Sequence, residues 1–338
     1  MTQKRIECKS SRTAGMTCLS RAVSSLDHRD SHHSDDALAV RLLPRLLQLA
    51  VRSALLRRAY ERFLAPAGIY EYVAARTKVI DEAFRRAIDE RFDQIVLFGA
   101  GFDTRALRFE RPRGTPRVFE LDAPLTQTAK VQQYARRRLA VPAGLVFVPI
   151  DFAGDPLAEK LAAAGVRKGA RGLFILEGVL MYLDLEAARA TWRVIEDFAG
   201  PGSRAVFDYV DAAVLRGEDG PYGGRRLQRR VSAAGEPWTL GLEPDQVASF
   251  LAGFGFDARD HLSAEDLEAR YFRDETRKLV GRVNGSHRIV IAERRYGLCT
   301  FSPPSQPRFA GSFPRTPYLD SDPAYGKTQG DHTLSQGL

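Results

Sequence analysis

The sequence predicts an α/β fold: a doubly wound, mostly parallel seven-stranded sheet preceded by an N-terminal helical cap. Three observations carry this expectation. Apolar strand-like runs at 94–98, 117–121, 145–149, 172–176 and 204–208 alternate with helical segments near 124–138, 156–164 and 185–199, the rhythm of right-handed crossovers between parallel strands. The first run, Gln94-Ile-Val-Leu-Phe98, stops abruptly at Gly99-Ala100-Gly101. Acids stand at the carboxyl ends of the runs, namely Glu120 and Asp122, Asp151, and Glu177, which is where open α/β sheets bind their ligands.

Taken in order, residues 1–33 are polar and are expected to form a loose arm. Residues 34–92 form the cap. From Asp35, a candidate N-cap, apolar residues at Ala37, Val40, Leu43, Leu46, Leu47, Ala50, Ala54 and Leu55 recur at helical steps, with a break near Pro44. A second helix is expected over 67–91, with Ile69, Val73, Val79, Ile80, Phe84 and Ile88 on one face. Residues 93–296 carry the sheet. Within them, 209–239 breaks the alternation with Gly217, Gly220-Pro221, Gly223-Gly224 and the cluster Arg225-Arg226, Arg229-Arg230, so this insertion is expected to be a lid, a substrate loop or a plain surface loop. A helix at 244–253, a strand around Phe256-Asp257 and a strand at Arg288–Glu293 complete the domain. Residues 297–338 are rich in Ser, Pro and Gly and are expected to be a disordered tail.

The glycine loop points to a nucleotide. Glycine lets backbone approach a ligand that a Cβ would exclude. Glu120 and Asp122 follow Gly101 by 19 and 21 residues, the distance at which a carboxylate on the next strand accepts ribose hydroxyls. The dinucleotide fingerprint also requires a small residue three positions after the second glycine, where this chain has Thr104, which weakens a nicotinamide reading. Asp103 beside the loop would repel phosphates and welcome a ligand bearing an ammonium and a sulfonium. S-adenosyl-L-methionine is such a ligand.

Several further motifs occur in one order: Ser11-Arg-Thr-Ala14, Arg21-Ala22, Asp35-Asp36-Ala37, Ala75-Arg76-Thr77, Phe98 to Arg105, Glu120-Leu-Asp122-Ala-Pro124, Asp151-Phe152 and Glu177-Gly178-Val-Leu-Met-Tyr182. With these the chain resembles the leucine carboxyl methyltransferase-like family, in particular its bacterial branch of S-adenosyl-L-methionine-dependent methyltransferases, over about residues 10–296. The resemblance implies a class I methyltransferase-like Rossmann fold whose last strand is antiparallel. It implies that Asp122 holds the ribose, that Gly99, Ala100 and Gly101 with Asp103 make room for the methionine portion, and that Asp151 and Phe152 frame the adenine. Glu177 would lie by the methionine ammonium. Arg76 would hold a carboxylate of cofactor or acceptor through its planar fork, and Tyr182 would donate to the acceptor. Arg21 is a further candidate on the N-terminal arm.

Composition bounds the alternatives. A hydrophobic content of 44% supplies a core, and no apolar run reaches a membrane span or a secretory segment, so a cytoplasmic protein with no membrane partner is expected. Cys8, Cys18 and Cys299 suggest neither a disulfide framework nor a zinc site. The net charge of +8 comes from 42 arginines and 8 lysines dispersed among 42 acids, so a nucleic-acid partner is not expected. His28, His32 and His33 are read as residues of a solvated loop, and no metal is expected. The expected substrate is a carboxylate on a small molecule or peptide end, and the expected chemistry is O-methylation. A nicotinamide-dependent oxidoreductase and a non-catalytic S-adenosylmethionine-binding regulator remain the other readings.

Overall fold

The computed structural model describes residues 12–111, 115–152, 154–218, 221–233 and 235–296. Residues 1–11 and the proline-rich segment 297–338 lie outside these, as do the expectations placed on them.

The first described element corrects an expectation. The arm expected to be loose forms helix α1 (Arg12–Ser24), and it buries Cys18, Ala22 and Val23. Its polar composition conceals one inward stripe: Ala14, Cys18 and Arg21 recur at four and three residues, the spacing of one helix face. The cap follows as three short helices, α2 (Ala37–Leu42), α3 (Arg45–Arg52) and α4 (Ala54–Ala59), the last running into a π turn at Tyr60–Leu64. Asp36, not Asp35, caps α2 by accepting from Ala39 N at 3.1 Å. Pro44 breaks the segment as expected, and Ser53 breaks it again. The long helix α5 (Ile69–Asp89) begins after Gly68 at φ 73° and buries thirteen residues, among which Val73, Val79, Ile80 and Phe84 pack with Ile95, Leu97 and Ile175 on one face of the sheet, while Tyr70 packs in the cap. It therefore belongs to the sheet layers more than to the cap.

The remaining elements alternate: β1 (Gln94–Phe98), α6 (Arg105–Arg108), β2 (Arg117–Asp122), α7 (Pro124–Arg137), β3 (Leu145–Pro149), α8 (Leu157–Ala164), β4 (Gly172–Leu176), α9 (Leu185–Phe198), β5 (Arg204–Asp211), α10 (Ala212–Leu215), α11 (Gly224–Ala233), β6 (Gly241–Leu242), α12 (Val247–Ala252), β7 (Phe256–Leu262), α13 (Ala264–Tyr271) and β8 (His287–Arg294). The sheet runs β3-β2-β1-β4-β5-β8-β7, with β8 antiparallel to both neighbours. An eighth strand, the two-residue β6, pairs with the end of β5 and is too short to leave a periodic signal. The alternation of side chains across β1 is complete. Val96 and Phe98 enter the cluster under α9, where Phe207, Phe250, Phe254 and Phe256 surround a fully buried Trp192. Ile95 and Leu97 enter the cluster under α5.

Register fixes where chemistry is possible. Phe98 pairs with Leu121 on one side and Leu176 on the other, and Leu176 pairs with Phe207. Gly99, Asp122 and Glu177 therefore stand level with one another at the carboxyl ends of β1, β2 and β4, and Asp208 stands level with them inside the longer strand β5. The strand order reverses between β1 and β4, so this row lies at the topological switch point, where a crevice opens.

Candidate active site

The loop after β1 turns sharply, with Gly99 at φ 64° and Gly101 at φ 49°, conformations that a side chain disfavours. Ala100 is buried, and its N–H donates to Leu121 O at 2.9 Å, tying the loop to β2. The next N–H, that of Gly101, donates to Asp122 Oδ2, while Ala123 N donates to Oδ1 at 2.7 Å. Burial raises the Asp122 carboxyl above its ordinary pKa and these two backbone donors pull it back. Each of its oxygens keeps acceptor capacity for a further hydroxyl.

Glu120 separates from Asp122 here. Although both acids fit the spacing, Glu120 is fully buried and receives Lys130 Nζ from α7 at 2.6 Å. Burial pushes its carboxyl up to about 7 despite that lysine. It anchors α7 to the sheet and has no path to a ribose.

Beside the loop lies a buried charge network. Arg76, from the middle of α5, places Nη1 2.6 Å from Asp208 Oδ2 and Nη2 3.1 Å from Glu177 Oε1. Arg105, wholly buried at the start of α6, reaches Glu177 Oε2 at 2.8 Å, Asp81 Oδ1 at 2.7 Å, and Asp103. Burial alone would raise the Glu177 carboxyl, but Arg76, Arg105 and Arg21 outweigh it and hold the pKa near about 2. Asp103 is likewise lowered, burial being overcome by Arg105, Lys130 and Arg21. It is turned inward: it accepts from Arg105 N at 2.7 Å as well as from the guanidinium, so it positions Arg105 and would act on a ligand only through the field of the cluster.

Arg21, on α1, donates to Phe102 O at 2.7 Å and pairs with Asp36 at 3.4 Å. About two turns earlier, Ala14 lies so close that a Cβ on Gly101 would stand 3.2 Å from the Ala14 Cβ. Helix α1 thus closes over the glycine loop. Tyr182 sits in a 3-10 turn (Leu180–Tyr182) beneath this helix. Burial raises its hydroxyl pKa, while hydrogen bonds with Thr13 and Trp238 lower it. The end of the insertion is stitched to the same turn, since Thr239 N donates to Met181 O at 2.8 Å. Trp238 packs edge-on to His287 at 5.0 Å, and His287 stacks on Tyr72 at 4.8 Å. Asp151 and Phe152 follow β3 at the far side of the crevice. Asp151 is exposed, and Phe152 leans toward Phe98 at 6.4 Å between ring centroids. Helix α8 begins after Pro156 without a side-chain cap, so capping is not the work of Asp151.

Two residues escaped the sequence reading. Asp208 is buried and accepts from Arg76, from Tyr72 Oη at 2.7 Å and from Gly178 N at 2.6 Å. It lies level with Glu177 but inside β5, and the strand-end rule applied to the expected strand 204–208 would have found it. Arg105 carried no such signal, because two of its partners, Asp81 and Glu177, are distant in sequence. The histidine expectation is also corrected. His32 is buried against Tyr70 and Phe272, which with burial and the nearby Arg29 charge lowers its pKa to about 4. Its Nε2 lies 4.0 Å from Glu71 and near Glu61, and Arg29 pairs with Glu61 at 2.9 Å.

These donors fit S-adenosyl-L-methionine. Asp122 offers a carboxylate for vicinal hydroxyls, and Glu177 stays ionised to meet an ammonium. Arg76 Nε and Arg105 Nη2 are buried without a hydrogen-bond partner, leaving donors for a carboxylate. Gly178, at φ 67°, adopts a left-handed conformation that a side chain disfavours, and the turn it makes lets its N–H reach Asp208 beside the fork.

Comparison with known proteins agrees with this geometry. A family model described as leucine carboxyl methyltransferase matches residues 14–196, from α1 through α9. A Frankia alni protein named "Putative S-adenosyl-L-methionine-dependent methyltransferase" is 40% identical over 134 residues, 40% of this chain and 47% of that one. A Bacillus subtilis protein of the same description is 29% identical over 179 residues, 53% of this chain and 59% of that one. The chain thus spans about half the length of the curated relatives it matches. Among solved structures, one titled as a putative methyltransferase from Thermobifida fusca aligns with a TM-score of 0.50 at 15% identity, covering 85% of this chain and 96% of that one. That likeness shows the fold, a class I methyltransferase sheet.

Proposed function

The chain belongs to the leucine carboxyl methyltransferase family, whose cofactor is S-adenosyl-L-methionine, and on that premise we propose that it O-methylates a carboxylate on a small molecule or peptide end. The observation that carries the proposal is the convergence of Arg76, Glu177 and Asp208 beside the glycine loop, level with Asp122. When bound, the cofactor supplies an electrophilic methyl on a positively charged sulfur. Everything else falls to the chain. Asp122 would hold the ribose hydroxyls, Asp151 and Phe152 would bracket the adenine, and Glu177 would neutralise the ammonium. Displacement at a methyl carbon depends mainly on alignment and desolvation, and a carboxylate acceptor is already ionised near neutral pH. No strong base is therefore required.

Arg76 is suited to orient such an acceptor. Its guanidinium is locked by the buried Asp208 and the partly buried Glu177, so its remaining donor surface is fixed in direction before any substrate arrives. Tyr182, neutral and half-buried near Thr13 and Trp238, would donate to the second acceptor oxygen. Arg21 and α1 would exclude water from above.

The acidic crevice also favours this reading over a nicotinamide oxidoreductase. The loop leads into α6, a helix of only four residues, which offers a pyrophosphate little of the dipole that a long helix N-terminus provides. Titration calorimetry with S-adenosyl-L-methionine, its demethylated product and NAD tests the class. Saturable binding of the first two at one site supports it, and binding of NAD alone overturns it.

A further inference from the structure

Between Arg45 and Leu64 the chain turns its apolar side chains outward. Leu46 is 81% exposed, Leu55 75%, Phe63 74% and Leu64 64%, with Leu49 and Leu56 also exposed. A surface helix ordinarily faces its apolar stripe inward, yet α4 buries no residue at all. The segment is held by a narrow inner edge: Val51 and Tyr60 are buried, and Tyr60 Oη meets Ser20 Oγ at 2.7 Å. Among the described residues nothing covers the leucines.

Charge surrounds them. The same twenty residues hold five arginines, Arg45, Arg52, Arg57, Arg58 and Arg62, and a single acid, Glu61, which Arg29 already neutralises at 2.9 Å. Helix α11 extends this field, since Arg230 Nη1 donates to Leu64 O at 3.2 Å. Arg225, Arg226 and Arg229 of that helix are exposed beside a shallow cleft of about 680 Å³. Protruding leucines fringed by arginines form an amphipathic face.

We propose that this face docks on an anionic lipid bilayer, with the leucines and Phe63 entering the acyl boundary and the arginines pairing with headgroup phosphates. The complementarity of charge selects this occupant. A second copy of the chain, paired about a two-fold axis, would set arginines against arginines. A nucleic acid would call for aromatic stacking platforms among the cations, whereas the protruding residues here are leucines with one phenylalanine. An acidic protein would match the arginines, but leucines are under-represented among the residues that dominate such interfaces. No described helix is long and apolar enough to cross a membrane, and that is silent about an interfacial face; the expectation of no membrane partner rested on the spanning criterion alone. The proposal stands independently of the methyl-transfer reading.

The test is co-sedimentation of the full chain with phosphatidylcholine vesicles, with and without phosphatidylglycerol, at low and high ionic strength. Partition is expected only onto the vesicles containing phosphatidylglycerol and should weaken with salt. The triple substitution Leu55→Ser, Phe63→Ser, Leu64→Ser should lower it about tenfold or more, as should Arg226→Glu with Arg229→Glu, each with an unchanged melting temperature because these side chains are exposed. Absence of partition at low salt, or equal partition by both variants, would overturn the proposal. So would a dimer that the serine variant dissociates, or tighter binding to polyglutamate or duplex DNA than to the vesicles.

Discussion

Arg76 Nη1 donates to Asp208 Oδ2 at 2.6 Å, joining two residues 132 positions apart in the chain, and the other arm of the same fork reaches Glu177 at 3.1 Å. A buried guanidinium held by two carboxylates from the neighbouring strands β4 and β5 cannot swing toward a substrate, so it must be presented correctly from the outset.

Arg76→Lys keeps the charge but loses the planar fork, so turnover should fall by at least about tenfold while the urea midpoint moves little. Asp208→Asn should likewise cost turnover through the loosened fork. Asp208→Ala should in addition destabilise the fold by about 3 kcal/mol or more, because Asn keeps an acceptor for Arg76, Tyr72 and Gly178 whereas Ala removes the counter-charge and leaves all three donors without that acceptor. Equilibrium unfolding beside initial rates separates these outcomes.

Asp122→Ala should weaken binding of S-adenosyl-L-methionine and its demethylated product by about 1–3 kcal/mol with little loss of stability, as expected when ribose hydroxyls lose their acceptor. Glu120→Ala should do the reverse. It leaves Lys130 buried beside an empty space and should cost about 3–5 kcal/mol of stability. Calorimetric affinity and denaturant midpoints for the two variants distinguish ligand acid from structural acid.

Gly101→Ala places a Cβ 3.2 Å from that of Ala14 on a residue at φ 49°. Cofactor affinity should fall, and Gly101→Val should be worse. Adding Ala14→Gly to Gly101→Ala should restore part of the loss, because it removes the steric contact and leaves only the backbone strain, about 1–2 kcal/mol. No recovery in the double variant would mean that α1 does not close on the loop as described.

How far the sequence foretold this arrangement depended on the range of the signal. Strands with continuous apolar runs, such as Gln94–Phe98 and Gly172–Leu176, were legible because burial on both faces leaves no other reading. The strand-end acids followed from topology. Helix α1 was missed because its inward stripe of Ala14, Cys18 and Arg21 includes a charged residue, whose burial depends on a distant partner, Asp36. The choice between Glu120 and Asp122 rested on Lys130, ten residues further on. The outward leucines of 45–64 read as an ordinary core stripe, since periodicity reports that one face is apolar and not which way it points.

His287 is buried, and desolvation with the Arg76 charge lowers its pKa to about 4 against an ordinary 6.5, although Asp208 pulls the other way. The unfolded chain therefore binds a proton that the folded chain refuses between these values. The buried neutral imidazole costs no stability above about pH 6.5 and carries a growing penalty as pH falls toward about 4, on the order of 3 kcal/mol in all. His287→Phe should remove this part of the acid slope. Melting temperatures of wild type and variant measured across that window should converge as the pH falls, and parallel curves would contradict the assignment.

The central claim is the bond that forms. If Arg76 and Tyr182 orient an acceptor carboxylate, incubation with methyl-labelled S-adenosyl-L-methionine and a panel of carboxylic acids, phenols and cell extract should yield a methyl ester, from which mild alkali releases the label as volatile methanol. Label that survives alkali in every active fraction would contradict carboxyl methylation, since N-methyl and aryl ether products resist those conditions.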